Sequence, residues 1–327
     1  MTDITNDTEM KRIILTICAI TLAMAVYAQF KPGYEPEESS PVAYGPMVSP
    51  DVPSKVIFAG STIDLDRNDL WERLDREMIS ILYGHTNTLL TFKRANRYFP
   101  TMARILKEQN VPADFLYLAC TESNLAPRAY SPAHAAGFWQ LLAATGRQYG
   151  LEVGDEVDER YDPEKSTVAA CKYLKAAYAK YGDWATVAAS YNAGMGRISG
   201  ELAKQQQKRS IDLYLTEETS RYVFRILAFK VIMEDPKKYG IRLKRSQLYK
   251  PLDFKVVEVS GPVSDWVEWA KRYNLSYAQL RDANPWIRTQ KLTNKQGKTY
   301  RVRIPTQESL SRTKGSVEVY YKNWIQD

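Results

Sequence analysis

Histidine is almost missing from this 327-residue chain: His85 and His134 are the only two, far apart and in no ligand pattern. There is no His-Glu-x-x-His pair and no Cys-x-x-Cys pair, so a zinc site has no residues to build from. No glycine-rich loop follows a strand pattern, which removes the usual phosphate cradle of a nucleotide enzyme. No Gly-x-Ser-x-Gly elbow occurs, and two scattered histidines do not make a Ser-His triad. No metal and no cofactor are therefore expected. Cysteine is scarce too, at Cys18, Cys120 and Cys171. What remains is carboxylate chemistry.

A long run of one charge is also lacking. The 45 Lys and Arg residues are interspersed with 38 Asp and Glu, leaving +7, so most of these charges read as a mixed solvated surface. The positive balance suits an anionic partner, but the N-terminus argues against nucleic acid. Lys11-Arg12 precede an apolar run, Ile13 to Val26, which exits through Val26-Tyr27-Ala28. That is the pattern of a secretory signal, with cleavage expected after Ala28. The alternative is a membrane anchor, for which the run is short of the ~20 residues of a full span. Ile17 stands before Cys18 where a lipoprotein signal needs a small residue. The expected location is exported, in the periplasm or cell envelope, with membrane association open. In such a compartment Cys120 and Cys171 either form a disulfide or remain two buried thiols. The helical stripe Val168, Leu174, Tyr178 and Tyr181 around Cys171 favours the thiols.

Residues 1–28 thus read as a signal peptide and 29–65 as a Pro-rich tether. From Asp66 the texture is helical, with Leu70, Leu74, Met78 and Leu82 every four residues, and 66–111 reads as a helical extension of the next domain. Within 112–248, Pro112 opens a helix carrying Phe115, Leu118, Ala119 and Glu122 on one face. An Ala-rich helical stretch is predicted around Ala135–Leu142. Asp162-Pro163 caps a helix to Tyr181, and Gly182 ends it. A further helix runs from Trp184 to Ala193, and another from about Thr219 to Met233. Residues 249–310 change character: strand at Phe254–Val259, short helices capped by Ser264 and Ser276, strand at Thr299–Pro305. Residues 311–327 read as a tail. The fold class is mainly α, a helical domain followed by a small β-α-α-β module.

Glu122 is the strongest carboxylate. Phe115 and Leu118 share its helix face, and an apolar setting penalises ionisation, which is what a general acid near neutral pH requires. A solvated helix end, or an ion pair with Arg128, is the structural alternative. An ordinary glycosidase needs a second carboxylate. The acidic run Asp155-Glu156-Val157-Asp158-Glu159 lacks tuning neighbours and reads as a solvated loop.

Five ordered motifs then coincide: Glu122–Pro127, Ser131–Gln140, Thr145-Gly146, Asp158–Pro163 and Ser190–Gly194. Together they resemble the soluble-type lytic transglycosylases, relatives of goose-type lysozyme with a lysozyme-like helical domain. The likeness covers roughly residues 66 to 240. It implies that Glu122 is the sole acid and base, cleaving peptidoglycan glycan strands to 1,6-anhydro ends. It implies further that Gln140 hydrogen-bonds sugar groups and Trp139 lines the cleft. Tyr191 and Asn192 would orient the N-acetylmuramic acid unit, and Tyr222 would close the site. Ser123, of the Glu-Ser motif, joins the substrate-binding set. Phe138 for the usual Leu, Ser190 for Ala, and Leu141–Ala144 for a Phe-Met-Pro pattern alter the groove lining.

Residues 254–305 resemble a LysM peptidoglycan-binding module, through Tyr273–Asn284 and Tyr300–Pro305. Glycan binding and a structural appendage are both open for it. Trp266, Trp269 and Trp286 are either sugar platforms or its core, the core being the commoner use. Two other functions compete: a goose-type hydrolysing muramidase, and a non-catalytic glycan-binding scaffold. Oligomeric state is not legible.

Overall fold

The computed structural model describes residues 48–326. The signal pattern and most of the Pro-rich stretch lie outside the described residues. The end of that stretch is not a tether. Lys55–Phe58 (β1) and Ser61–Asp64 (β2) pair as a hairpin with Phe58 opposite Ser61. The turn residues Ala59 and Gly60 have φ of 50° and 84°, the doubly left-handed geometry of a two-residue hairpin. Val56, Phe58 and Ile63 are buried, and the Phe58 ring lies 5.6 Å from Phe115. Ala occupies a position usually signalled by Asn or Asp, so the sequence hid the turn.

Helices follow. Asn68–Tyr83 (α1) buries the stripe Leu70, Leu74, Met78 and Ile81. His85–Glu108 (α2) continues it after Gly84, and Phe115–Ser123 (α3) comes next. Ala143–Gln148 (α4) is short. In Pro163–Tyr181 (α5), the Asp162 side chain accepts from the N–H groups of Glu164 and Lys165, and Gly182 ends the helix at φ 65°. Trp184–Ala193 (α6) and Met195–Lys204 (α7) precede Glu217–Glu234 (α8). Nearly every side chain of α3 before Thr121 is buried, as is the middle of α6, and α8 hides residues all round. Helices apolar on all sides belong at the centre. These three form the middle of the helical domain, with α1 packed on α8 and α5 on α2 and α6. Buried Glu77 on α1 meets Arg221 at 2.5 Å and Arg225 at 2.9 Å, which fastens α1 to α8.

The predicted helix over 135–142 is absent. Gly137 and Gln140 have φ of 77° and 45°, and Ala136 bridges to Tyr130 and Leu141 instead. Alanine content suggested a helix; a close approach decides otherwise. A Cβ on Gly137 would sit 1.9 Å from the Arg160 carbonyl oxygen, so this loop is shaped by its neighbour.

The module comprises Phe254–Val259 (β3), Trp266–Lys271 (α9), Tyr277–Ala283 (α10) and Tyr300–Pro305 (β4), with β3 and β4 antiparallel. Trp266, Trp269 and Trp286 are buried in its core. Val157 of the helical domain belongs to that same core. Residues 311–326 are not a free tail. Trp324 is fully buried against Phe92 and Phe99, and its indole donates to the Met233 carbonyl at 2.7 Å. Buried Asn96 bonds the Tyr249 and Glu318 carbonyls and accepts from the Tyr320 N–H. The module is thereby anchored at both ends. Among the described residues, no helix is long and apolar enough to cross a membrane.

Candidate active site

Glu122 lies in the last turn of α3, which stops because Asn124 and Leu125 turn left-handed at φ 46° and 54°. Arg94 of α2 donates to the Asn124 carbonyl at 3.1 Å, a cation placed at a helix C-terminus. Ser123, the next residue, is buried and donates to the Phe138 carbonyl at 2.9 Å. Its hydroxyl pins the Gly137–Gln140 loop to α3 and is turned away from solvent, a positioning contact and not the sugar contact expected of it.

The Glu122 carboxylate is partly buried, and Tyr222 of α8 donates its hydroxyl to Oε1. Desolvation pushes the carboxyl up to about 7. Three smaller influences act with it or against it: the Tyr222 bond and the Arg225 charge lower it, while the negative Glu218 raises it. The result is a carboxyl that holds its proton near neutrality and can release it. Arg128, the alternative ion partner, pairs with Asp282 instead.

The other expected residues are held by different means. The Tyr191 hydroxyl donates to the Trp139 carbonyl at 2.7 Å, and its ring meets Tyr173 edge-on at 5.1 Å. Burial and the charge of Glu122 push the phenols of both Tyr191 and Tyr222 well above the ordinary range, so both stay protonated donors. Asn192 accepts from the Thr219 hydroxyl at 2.9 Å and donates toward Glu218 at 3.4 Å, tying the end of α6 to the start of α8. Gln140 is partly exposed and donates its amide to the Gly137 carbonyl at 2.8 Å, which fixes how the side chain leaves the loop. Trp139 does not line a cleft. Its indole is fully buried and donates to Thr167 at 2.9 Å, as a buried N–H must find a partner. A cleft of about 750 Å³, edged by Arg73, Tyr214, Thr216, Glu217 and Ser220, opens beside the first turn of α8.

Sequence reasoning missed Glu218, a like charge that acts on Glu122. Its only signal was a place four residues before Tyr222 on one helix face. The acidic run was misread as well. Asp155 is exposed, but Asp158 and Glu159 are buried, held by Arg160 at 2.7 Å and by Lys165 respectively. Cys120 and Cys171 are free and buried; burial raises both thiols, Cys171 to about 12, and they serve as small apolar groups. Among the described residues, no group of three or more His, Cys, Asp and Glu is placed to hold a metal ion.

Residues 101–214 match the Transglycosylase SLT domain, and 255–308 match the Soluble lytic transglycosylase C-terminal LysM-like domain. The chain is 33% identical over 211 residues to membrane-bound lytic murein transglycosylase D of Escherichia coli K12, covering 63% of this chain and 45% of that protein. It therefore spans less than half the length of that relative. Over 112 residues it is 33% identical to the peptidoglycan transglycosylase gp16 of Escherichia phage T7, covering 34% of this chain and 8% of that one. Among solved structures, the 70 kDa soluble lytic transglycosylase of Escherichia coli is 22% identical, with a TM-score of 0.39, over 53% of this chain and 30% of that one. The chain thus carries a Transglycosylase SLT domain that includes Glu122, followed by a Soluble lytic transglycosylase C-terminal LysM-like domain.

Proposed function

We propose that this chain cleaves the β-1,4 bond between N-acetylmuramic acid and N-acetylglucosamine in peptidoglycan, without water, leaving 1,6-anhydro ends. The observation that supports this reading most is the bond from Tyr222 to a single carboxyl, Glu122, pushed up to about 7.

Protonated Glu122 donates its proton to the glycosidic oxygen as the bond from C1 breaks, and the N-acetylglucosamine side leaves with a free hydroxyl. The substrate's own acetamido oxygen stabilises the positive charge at C1, the task a second carboxylate performs elsewhere. Glu122, now ionised and held by the Tyr222 hydroxyl, takes the proton from the C6 hydroxyl. That oxygen bonds to C1, which closes the anhydro ring and restores Glu122. Gln140, Tyr191 and Asn192 flank the sugar, Ser123 and Trp139 hold the loop and Tyr191 from beneath, and no cofactor enters. The site of action is the cell envelope, reached by export through the N-terminal signal, with glycan strands as the partner.

Digestion of purified sacculi, followed by mass analysis, tests the reaction. Anhydro ends are expected with the wild type and about 10²–10⁴-fold fewer with Glu122→Gln. Reducing ends alone would mean that water, not the C6 hydroxyl, attacks C1. No new ends from the wild type would leave a glycan-binding scaffold.

A further inference from the structure

The module touches the helical domain through one segment above all. Between Glu152 and Asp162, the side chain or backbone of nearly every second residue faces the module. Glu152 meets Lys298 at 2.9 Å and the Tyr300 hydroxyl at 3.1 Å. Glu156 accepts from the Thr293 N–H at 2.8 Å and its hydroxyl at 2.9 Å. Val157 pairs with Ile287, and the Asp158 N–H donates to the Trp286 carbonyl at 2.9 Å. The Arg288 guanidinium lies 4.0 Å over the Tyr161 ring. Asp162 receives Arg303 at 2.8 Å.

The same segment reaches the other way through one side chain. Buried Arg160 is gripped by Asp158, with Nε at 2.9 Å and Nη2 at 2.7 Å. Its Nη1 donates to the carbonyls of His134 at 2.8 Å and Leu141 at 3.1 Å, the two ends of the loop that carries Gln140. Its own carbonyl is the atom that forces Gly137 to stay glycine. The connection is continuous: Trp286 holds the Asp158 backbone, the Asp158 carboxylate sets Arg160, and Arg160 spans the Gln140 loop.

We propose that the LysM-like module acts as a brace for the Gln140 loop, with Arg160 and Asp158 as the positioning residues that transmit it. This rests on the reading that Gln140 contacts the glycan. The module's tryptophans are spent on its core and its loops on the 152–162 seam, which fits a brace better than a free glycan anchor.

The test uses the full chain carrying Glu122→Gln, so that a soluble GlcNAc–MurNAc tetrasaccharide without stem peptides is bound and not cut. Calorimetry gives its Kd. Arg160→Lys keeps the charge but loses the fork. It is expected to weaken binding about tenfold, within what misplacement of a binding group costs. Gln140→Ala should weaken it similarly, and the double variant no further, because Arg160 acts through Gln140. Glu156→Ala, on the partly exposed seam, should weaken it in the same direction with melting temperature held close to the parent. Additive losses from Arg160→Lys and Gln140→Ala would overturn the brace. So would a seam variant that leaves tetrasaccharide affinity unchanged while binding to whole sacculi falls. Sacculus cleavage by the chain with native Glu122 is scored separately. Its failure removes the transglycosylase reading and leaves the binding comparison decisive for the brace.

Discussion

The Tyr222 hydroxyl donates to Glu122 Oε1 across the gap between α8 and α3, while Glu218, one turn earlier on α8, acts on the same carboxyl with the opposite sign. The bond stabilises the ionised form and the like charge disfavours it. Since the general acid must start protonated, kcat/KM is expected to fall as pH rises through about 7. Tyr222→Phe should move that alkaline limb to higher pH and Glu218→Gln to lower pH. A pH–rate profile of the three proteins decides it; shifts in one common direction would contradict the assignment.

Glu122→Gln should abolish the proton transfers, a loss of about 10²–10⁴-fold in cleavage rate. It should also stabilise the fold at alkaline pH. A carboxyl raised from 4.5 to about 7 favours the folded state only while protonated. Its contribution is complete below pH 4.5 and disappears as pH rises through 7. Urea unfolding at pH 8 should favour the variant by about 3 kcal/mol, with the two proteins converging below pH 4.5.

Much of this was legible. Asp162-Pro163 and Gly182 delimit α5 by chemistry that acts within a few residues, and Glu122 declared itself by its apolar helix face. The failures share a physical cause. The shape of the Gly137–Gln140 loop is imposed by Arg160, the burial of Asp158 by a neighbouring module, and that of Trp324 by Phe92 and Phe99. Partners so far off in sequence leave no periodicity to read.

Gly137→Ala should cost more than Gly182→Ala, although both glycines have φ near 70° (77° and 65°). Only Gly137 has a carbonyl oxygen in the way, whereas nothing lies within 4 Å of a Cβ on Gly182. A loss of at least about 2 kcal/mol is expected for Gly137→Ala and about 1 kcal/mol for Gly182→Ala, read from denaturation midpoints. Equal losses would show that the close approach to Arg160 is dispensable.

Trp324→Ala should cost about 3–5 kcal/mol in urea unfolding, since it empties a fully buried site between Phe92 and Phe99. Asn96→Ala, which strands two carbonyls and the Tyr320 N–H, should cost about 1–3 kcal/mol. Unfolding that matches the parent in either variant would mean the C-terminal segment is merely laid on the surface.

The Asn96–Tyr320 bond joins positions 224 residues apart. A chain synthesised from its N-terminus therefore exposes Phe92, Phe99 and the Asn96 amide through most of its emergence, with their covering partners still to come. Helical hairpins form early from local contacts, but this closure must await the far end and is the slow step of the topology. The helical domain is finished last by a stretch lying beyond the module, so its maturation and the module's docking are one event in time.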